Sequence, residues 1–301
     1  MVLNSFAKLN LYLEVLKKRK DSYHNINTLF ERIDLSDKII LKARPDNLIK
    51  IICENPGVPK DSSNLCYRSA KLLQEKFHIN QGLDIKIIKQ IPVGAGLGGG
   101  SSNAAAVLSG LNKLWKLNLS CERLAGLARK IGCDAPFFIY NTSFAFGLAR
   151  GDRVKPLKGF KNLRLWHILV VPKTKVLTPK IYKEWDRYSE LTKPKHNAKI
   201  LTLGLRKKDL SSLIPASSKM RQGLMISQLL FNSLEEITTR LYPEVQRIKE
   251  ALTRCGLKSI LMSGSGPAVF GMVLLRKEAE RLSRQLKRQH RSWQVFVTRT
   301  F

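Results

Sequence analysis

No stretch of this sequence stays apolar for the ~18–20 residues a helix needs to cross a bilayer. The opening MVLNSFAKLNLYLEVL has neither the cationic start nor the small-residue cleavage site of a secretion signal. Both absences predict a cytoplasmic protein with no membrane partner. Cysteine is sparse: Cys53, Cys66, Cys121, Cys133 and Cys255 are scattered and form no CxxC pair or Cys/His cluster at metal-ligand spacing. Reduced, mostly buried thiols are expected, and no protein-held metal. Acidic residues are also scarce, 23 against 53 Lys and Arg, which leaves a net charge of +30. Such an excess attracts nucleic acid, anionic membrane surfaces or phosphorylated small molecules without choosing among them. An RNA-recognition consensus, zinc-finger spacing and a basic heptad region are all missing. Most of the charge is therefore read as solvated surface, the rest as steering anionic ligands, and no nucleic-acid partner is expected. No repeat is found, and nothing in the sequence bears on oligomeric state.

The 301 residues suffice for two modest domains, and 44% hydrophobic with 25% charged residues suits a globular protein. Alternation from Phe6 to Val15 predicts a strand bearing Lys8. A polar turn in DSYHNINTLF enters a second extended segment, and LSDKIILKAR and LIKIICENP complete an antiparallel set. Helical spacing runs from Leu65 to Phe77, with Ser62 or Ser63 as N-cap, and LDIKIIKQI is a strand delivering Pro92. Further helices are predicted from Ser101 to Leu117 and, between Ser120 and Gly132, from Cys121 to Lys130. CDAPFFIYN reads as extended and GLARGDRVKPL as a connection. The apolar LWHILVVP restarts the pattern, which places a boundary near residue 160 and divides the chain into 1–160 and 161–301. Helices follow around TPKIYKEWDRY and NSLEEITTRLYPEVQRIKEALTRC, the latter interrupted by Pro243, and residues 184–222 look like a long surface excursion.

The densest local signal is PVGAGLGGGSSNAAA, in which five of the first nine residues are glycine and a helix follows directly. Glycine permits positive φ and lets a ligand approach main-chain N–H groups. Placed just before a helix, such a loop aims free N–H groups and the positive end of the helix dipole at one point, which suits a phosphate. A flexible linker would instead repeat Gly and Ser at length without an attached helix. Gly94, Gly96 and Gly99 match GxGxxG, but a dinucleotide fold also needs an acid closing the next strand, and Glu122 falls in a predicted helix. A Walker loop needs Lys after its last glycine, where this chain has Ser101, and the protein-kinase strings HRD and DFG do not occur.

With AKLNLYLEV before it and SGSGPAVFG after it, this loop resembles the central motif of the GHMP kinases, small-molecule kinases of galactose, homoserine and mevalonate type. Within that superfamily AKLNLYLEVLKKRKDSYHNINTLF, IGCDAPFF and FNSLEEITTRLYPEV are similar to the branch acting on a diphosphocytidyl-linked methylerythritol in non-mevalonate isoprenoid synthesis. These motifs span residues 6–273. The resemblance implies an α+β, two-domain fold, with an N-terminal α/β nucleotide-binding domain, a C-terminal ferredoxin-like domain and a cleft between them. It implies ATP with Mg2+ as co-substrate, with no protein ligand assignable to the ion, and transfer of phosphoryl to the 2-hydroxyl of the cytidyl substrate.

By the same resemblance, Pro92, Val93, Gly94, Ala95, Gly96, Leu97, Gly98, Gly99, Gly100, Ser101 and Ser102 hold the ATP phosphates, and Lys89 approaches the nucleotide. The two serines either add hydroxyl donors or cap the helix. Gly264, Ser265 and Gly266 come beside this loop, as a tight turn or as ligand contacts. Asp134 is the implied base for the substrate hydroxyl and Lys8 its cation; from sequence alone Asp134 also suits a helix cap or a buried ion pair. The substrate residues implied are Tyr23 and His24, which stack on and hydrogen-bond the cytosine, with Phe30, Asn10, Thr178 and Tyr182. Relatives favour Gly-x-Gly-Glu where this chain has Ala149-Arg150-Gly151-Asp152, so the turn there differs. Two other readings stand: a GHMP kinase for homoserine or mevalonate, which needs no Tyr-His base reader, and a basic nucleic-acid-binding protein, which leaves the glycine loop and Asp134 without a purpose.

Overall fold

The alternation near the N-terminus becomes β1 (Val2–Lys18), antiparallel to the 21-residue β2 (His24–Arg44), in a computed structural model that describes residues 1–157, 160, 163–188 and 230–301. Register shifts at Phe6/Ala7 and Asn10/Tyr12 bracket Lys8 and Asn10; bulges of this kind re-aim side chains. The C-terminal part of β2 pairs with β4 (Gly82–Ile88), and its N-terminal part with β5 (Phe144–Leu148). The antiparallel set expected at the start is corrected at β3 (Ile49–Ile52), which runs parallel to β4. Helix α1 (Leu65–Phe77) lies between those strands, and a crossover of that length returns the chain in the same direction.

Helix α1 has the predicted span, but Asn64 caps it rather than a serine. The Asn64 side chain accepts from the Cys66 N–H at 2.8 Å, while the Ser63 N–H is already bound to Asp61. Helix α2 (Gly99–Leu114) starts two residues earlier than expected, and α3 (Cys121–Ile131) runs between Ser120 and Gly132 as expected. These helices cover the sheet through Leu73, Ile85, Leu108, Leu111 and Ala128. CDAPFFIYN is corrected from extended to the short helix α4 (Ala135–Ile139), where Pro136 occupies the first turn, the one place in a helix that loses nothing by lacking an N–H. GLARGDRVKPL is no plain connection: β5 pairs with β6 (Arg153–Pro156), and the turn between them uses Ala149 and Gly151 at φ 58° and 89°.

The second half builds a four-stranded antiparallel sheet in the order β11 (Gln294–Arg299), β7 (Trp166–Val171), β10 (Val269–Val273), β9 (Ile260–Met262). In chain order this is fourth, first, third, second, the ferredoxin-like arrangement. Helix α5 (Thr178–Tyr188) follows β7, and Pro243 separates α6 (Glu235–Leu241) from α7 (Pro243–Arg254). Helix α8 (Arg276–Gln289) precedes β11. Of the excursion expected over residues 184–222, residues 184–188 belong to α5 and the rest lie outside the described residues. The two sheets share a core in which Leu9, Leu11 and Phe144 meet Leu169 and Phe270. A two-residue strand, β8 (Phe231–Asn232), pairs in parallel with β1, so the second half also completes the first sheet. No helix among the described residues is long and apolar enough to cross a membrane.

Candidate active site

The glycine loop runs between the end of β4 and α2. Gly94, Gly96 and Gly98 all take left-handed φ, at 69°, 76° and 68°. At Gly96 a Cβ would collide with the backbone carbonyl oxygen of Ser263, and at Gly98 it would press on the Lys8 stem and the Phe138 ring at 3.0 and 3.1 Å. The loop is laid between two fixed partners. Lys8 N–H donates to Leu97 O at 3.0 Å, Ala268 N–H to Ala95 O at 3.3 Å, and Ser263 Oγ to Gly96 O at 3.2 Å. The Gly264–Gly266 turn therefore lies against the loop; Gly264 and Ser265 line the same cleft as Gly96 and Gly98. Gly96→Ala is expected to destabilise the chain by about 1–3 kcal/mol, since a side chain at this φ is strained, and, on the resemblance to ATP-dependent kinases, to raise the KM for ATP at least about tenfold. Thermal melts and ATP titration check both.

Gly98 is the N-cap of α2 and no side chain caps that helix, so its first-turn N–H groups keep their pull on an anion. Ser101 lines the cleft. Ser102 does not: its hydroxyl is buried, accepts from Ser5 Oγ at 2.7 Å, and neither caps the helix nor faces the cleft. Lys89 is also placed otherwise than expected. It is buried beneath the loop in an ion pair with the fully buried Asp37. Burial lowers the Lys89 pKa, and Asp37 opposes that shift. Asp37 accepts as well from Gln90 N–H at 2.7 Å, Ile91 N–H at 2.8 Å and Asn103 Nδ2 at 2.9 Å. One carboxylate thus clamps the start of the loop to α2. Ala95 and Leu97 are buried, Val93 is exposed, and the Cβ direction of Gly94 is open.

Lys8 Nζ lies 3.5 Å from Asp134 Oδ2 and hydrogen-bonds Asn10 Oδ1. Asn10 is held in turn by donation from its Nδ2 to Thr28 Oγ1 at 2.8 Å. Asp134 sits at the N-cap position of α4 but makes no capping bond, and its side chain is 30% exposed toward the cleft. An acid that does nothing for its own helix and faces an ammonium across a cleft is free to meet a substrate hydroxyl. Phe30, expected against the substrate, is fully buried: it stacks on Phe137 at 4.9 Å and lies 5.6 Å below the Lys8 ammonium. Its ring is floor for Lys8, because β2 at that point is covered by α4.

At the other end of the cleft stand the aromatic residues. Tyr23 is exposed, with the Arg150 guanidinium 5.1 Å from its ring centroid. His24 stacks on Tyr182 (5.2 Å, 25°) and meets the edge of Trp185, and its Nε2 is 2.6 Å from Asp186 Oδ1. Burial raises the Tyr182 hydroxyl pKa, with the Asp134 charge adding to it. Thr178 Oγ1 hydrogen-bonds Ser265 Oγ at 2.7 Å, which ties α5 to the glycine turn. Sequence reasoning missed Asp186, Lys18 and Arg150. Asp186 passes for a solvated helix position and Lys18 for one member of a basic run. Arg150 lies in the departing turn, held by Asp152 at 2.7 Å. The cleft measures about 610 Å³ and holds the loop, the Lys8–Asp134 pair and the aromatic end in one space, within the range of small-molecule sites.

The family described as "GHMP kinases N terminal domain" matches residues 64–142, and "GHMP kinases C terminal" matches 206–292. A protein of Geobacillus sp. (strain WCH70) named 4-diphosphocytidyl-2-C-methyl-D-erythritol kinase is 41% identical over 281 residues, 93% of this chain and 91% of that one. The crystal structure of a 4-(cytidine 5'-diphospho)-2C-methyl-D-erythritol kinase superposes with a TM-score of 0.76 at 30% identity, over all of both chains. A homoserine kinase from Cytophaga hutchinsonii superposes at 0.70 over all of this chain and 94% of its own, but at 18% identity it is a likeness of fold alone.

Proposed function

The chain belongs to the GHMP kinase family, and from that premise we propose that it transfers the γ-phosphoryl of ATP to the 2-hydroxyl of 4-diphosphocytidyl-2-C-methyl-D-erythritol. The products are the 2-phosphate and ADP, on the non-mevalonate route to isoprenoid precursors. The observation that carries this reading is one continuous cleft with a phosphate-type loop and an acid–lysine pair at one end and Tyr23, His24 and Tyr182 at the other.

Phosphoryl transfer asks the protein to hold two oxygens in line and to neutralise charge on the moving group. The N–H groups of the loop and of the first turn of α2 bind the ATP phosphates, with the Ser101 hydroxyl beside them. Asp134 accepts a hydrogen bond from the substrate hydroxyl and then its proton, while Lys8 neutralises developing charge. A carboxylate is a weak base toward an alcohol, so much of its contribution is orientation of that hydroxyl. Tyr23 and Tyr182 flank the cytosine and His24 bonds its edge. Arg150, Lys18 and Lys183 line the same cleft and supply positive charge for a diphosphate. Among the described residues no three His, Cys, Asp or Glu side chains converge on a point. A magnesium ion brought in with ATP would add charge neutralisation on the phosphates, beside that supplied by Lys8 and the loop N–H groups.

ADP release with the cytidyl substrate, run beside homoserine and mevalonate, tests the assignment. Turnover of the cytidyl substrate alone is expected. Turnover of homoserine or mevalonate alone, or salt-dependent RNA binding without ADP release, overturns it.

A further inference from the structure

We propose that Asp186 is the positioning residue that makes this cleft read cytosine rather than uracil, by holding His24 in the tautomer whose Nε2 carries the hydrogen and whose Nδ1 accepts. The inference rests on the cytidyl reading above and adds a residue to it.

A neutral imidazole has one donor and one acceptor nitrogen, and the partner of either nitrogen decides which is which. Here Nε2 faces Asp186 Oδ1 at 2.6 Å. The other carboxylate oxygen, Oδ2, takes the Lys18 ammonium at 2.5 Å. Burial tends to raise the Asp186 pKa, but the hydrogen bonds from Lys18 and His24 outweigh it and hold the group below the usual aspartate value. An ionised carboxylate can only accept, so Nε2 must donate. The ring cannot turn away to escape this bond: its side chain is 3% exposed, and it lies between the stacked Tyr182 and the edge of Trp185. Nδ1 has no hydrogen-bond partner among the described residues and is not among the atoms sealed from solvent. His24 lines the cleft.

An acceptor at that point has a definite preference. Cytosine presents an amino donor at C4, whereas the uracil-type edge presents a carbonyl acceptor there. Nδ1 pairs with the first and opposes the second, and a site built to receive a hydrogen bond rejects the analogue that cannot donate it. The connection is long-range. Asp186 is on α5 of the second half, Lys18 ends β1 and His24 begins β2, so base choice is tied to the docking of α5 on the β1–β2 hairpin.

The test is Asp186→Asn, whose amide keeps the shape but can donate to Nε2 and so move the ring hydrogen to Nδ1. Turnover is measured with the cytidyl substrate and with its uridyl counterpart. The wild type is expected to favour the cytidyl compound at least about 100-fold in kcat/KM. Asp186→Asn is expected to lower that ratio at least tenfold, with the loss carried by KM for the cytidyl substrate rather than by kcat, and Asp186→Glu is expected to restore part of it. Undiminished discrimination in Asp186→Asn overturns the inference. Turnover of neither substrate by the wild type overturns the cytidyl reading instead. In that case the ring 15N shifts of His24 still decide the tautomer: a hydrogen found on Nδ1 in the wild type overturns the inference.

Discussion

Asp134→Ala is expected to lower kcat by about 10²–10⁴-fold, the range set by removing a positioned acid–base group, while the melting temperature changes little. The stability half of that expectation comes from what Asp134 does not do. It makes no capping bond to α4, its side chain is 30% exposed, and its ion-pair partner Lys8 keeps its hydrogen bond to Asn10. Lys8→Ala is expected to cost turnover by a similar factor, with Lys8→Met as the variant that leaves the volume beside Phe30 and Gly98 filled. In the proposed mechanism the two residues serve one substrate oxygen, so the double variant should lose little more than either single one. Stopped-flow or coupled assays of ADP formation, with circular dichroism as the control for folding, check all three. Near-normal turnover in folded Asp134→Ala or Lys8→Met removes the pair from the mechanism.

Asp37→Ala should act in the opposite sense, on the fold first. It strands the buried Lys89 ammonium, leaves the N–H groups of Gln90 and Ile91 without their acceptor, and takes from Asn103 Nδ2 one of its two acceptors, the other being Ser5 Oγ. Breaking a buried pair by removing one partner costs about 3–5 kcal/mol, and the cradle should loosen with it. Chemical denaturation measures the first effect and ATP titration the second. Lys89→Met also breaks the pair, but it leaves the Asp37 carboxylate its donors Gln90 N–H, Ile91 N–H and Asn103 Nδ2, so it is expected to cost less than Asp37→Ala. If Lys89 contacted the nucleotide directly, Lys89→Met would instead leave stability alone and weaken ATP binding.

Where the sequence misled, the cause was a contact it does not display. Phe30, Ser102 and Lys89 have the right residue types beside the right motifs, yet α4, Ser5 and Asp37 claim them. CDAPFFIYN reads as extended because it is rich in aromatics, but Pro136 opens a helical turn and Phe137 finds Phe30. Asn64 takes the place of the expected serine cap because the helix starts at Leu65, which puts the Asn64 side chain, not that of Ser62 or Ser63, in reach of the Cys66 N–H.

The sequence by itself determined what depends on neighbours a few residues apart: the helical spacing of α1 and α3, the Gly94, Gly96 and Gly98 backbone that only glycine adopts readily, and the motif order that marks the family. Burial, partner choice and the joining of the two ends of the cleft belonged to tertiary structure. Asp186 reaches His24 across 162 positions of sequence, and Asn10 N–H meets Ser263 Oγ across 253. No periodicity encodes such pairs. Which charge meets which is decided when α5 and the Gly264–Gly266 turn pack onto β1, where desolvation makes a partnered charge tolerable and an unpartnered one costly.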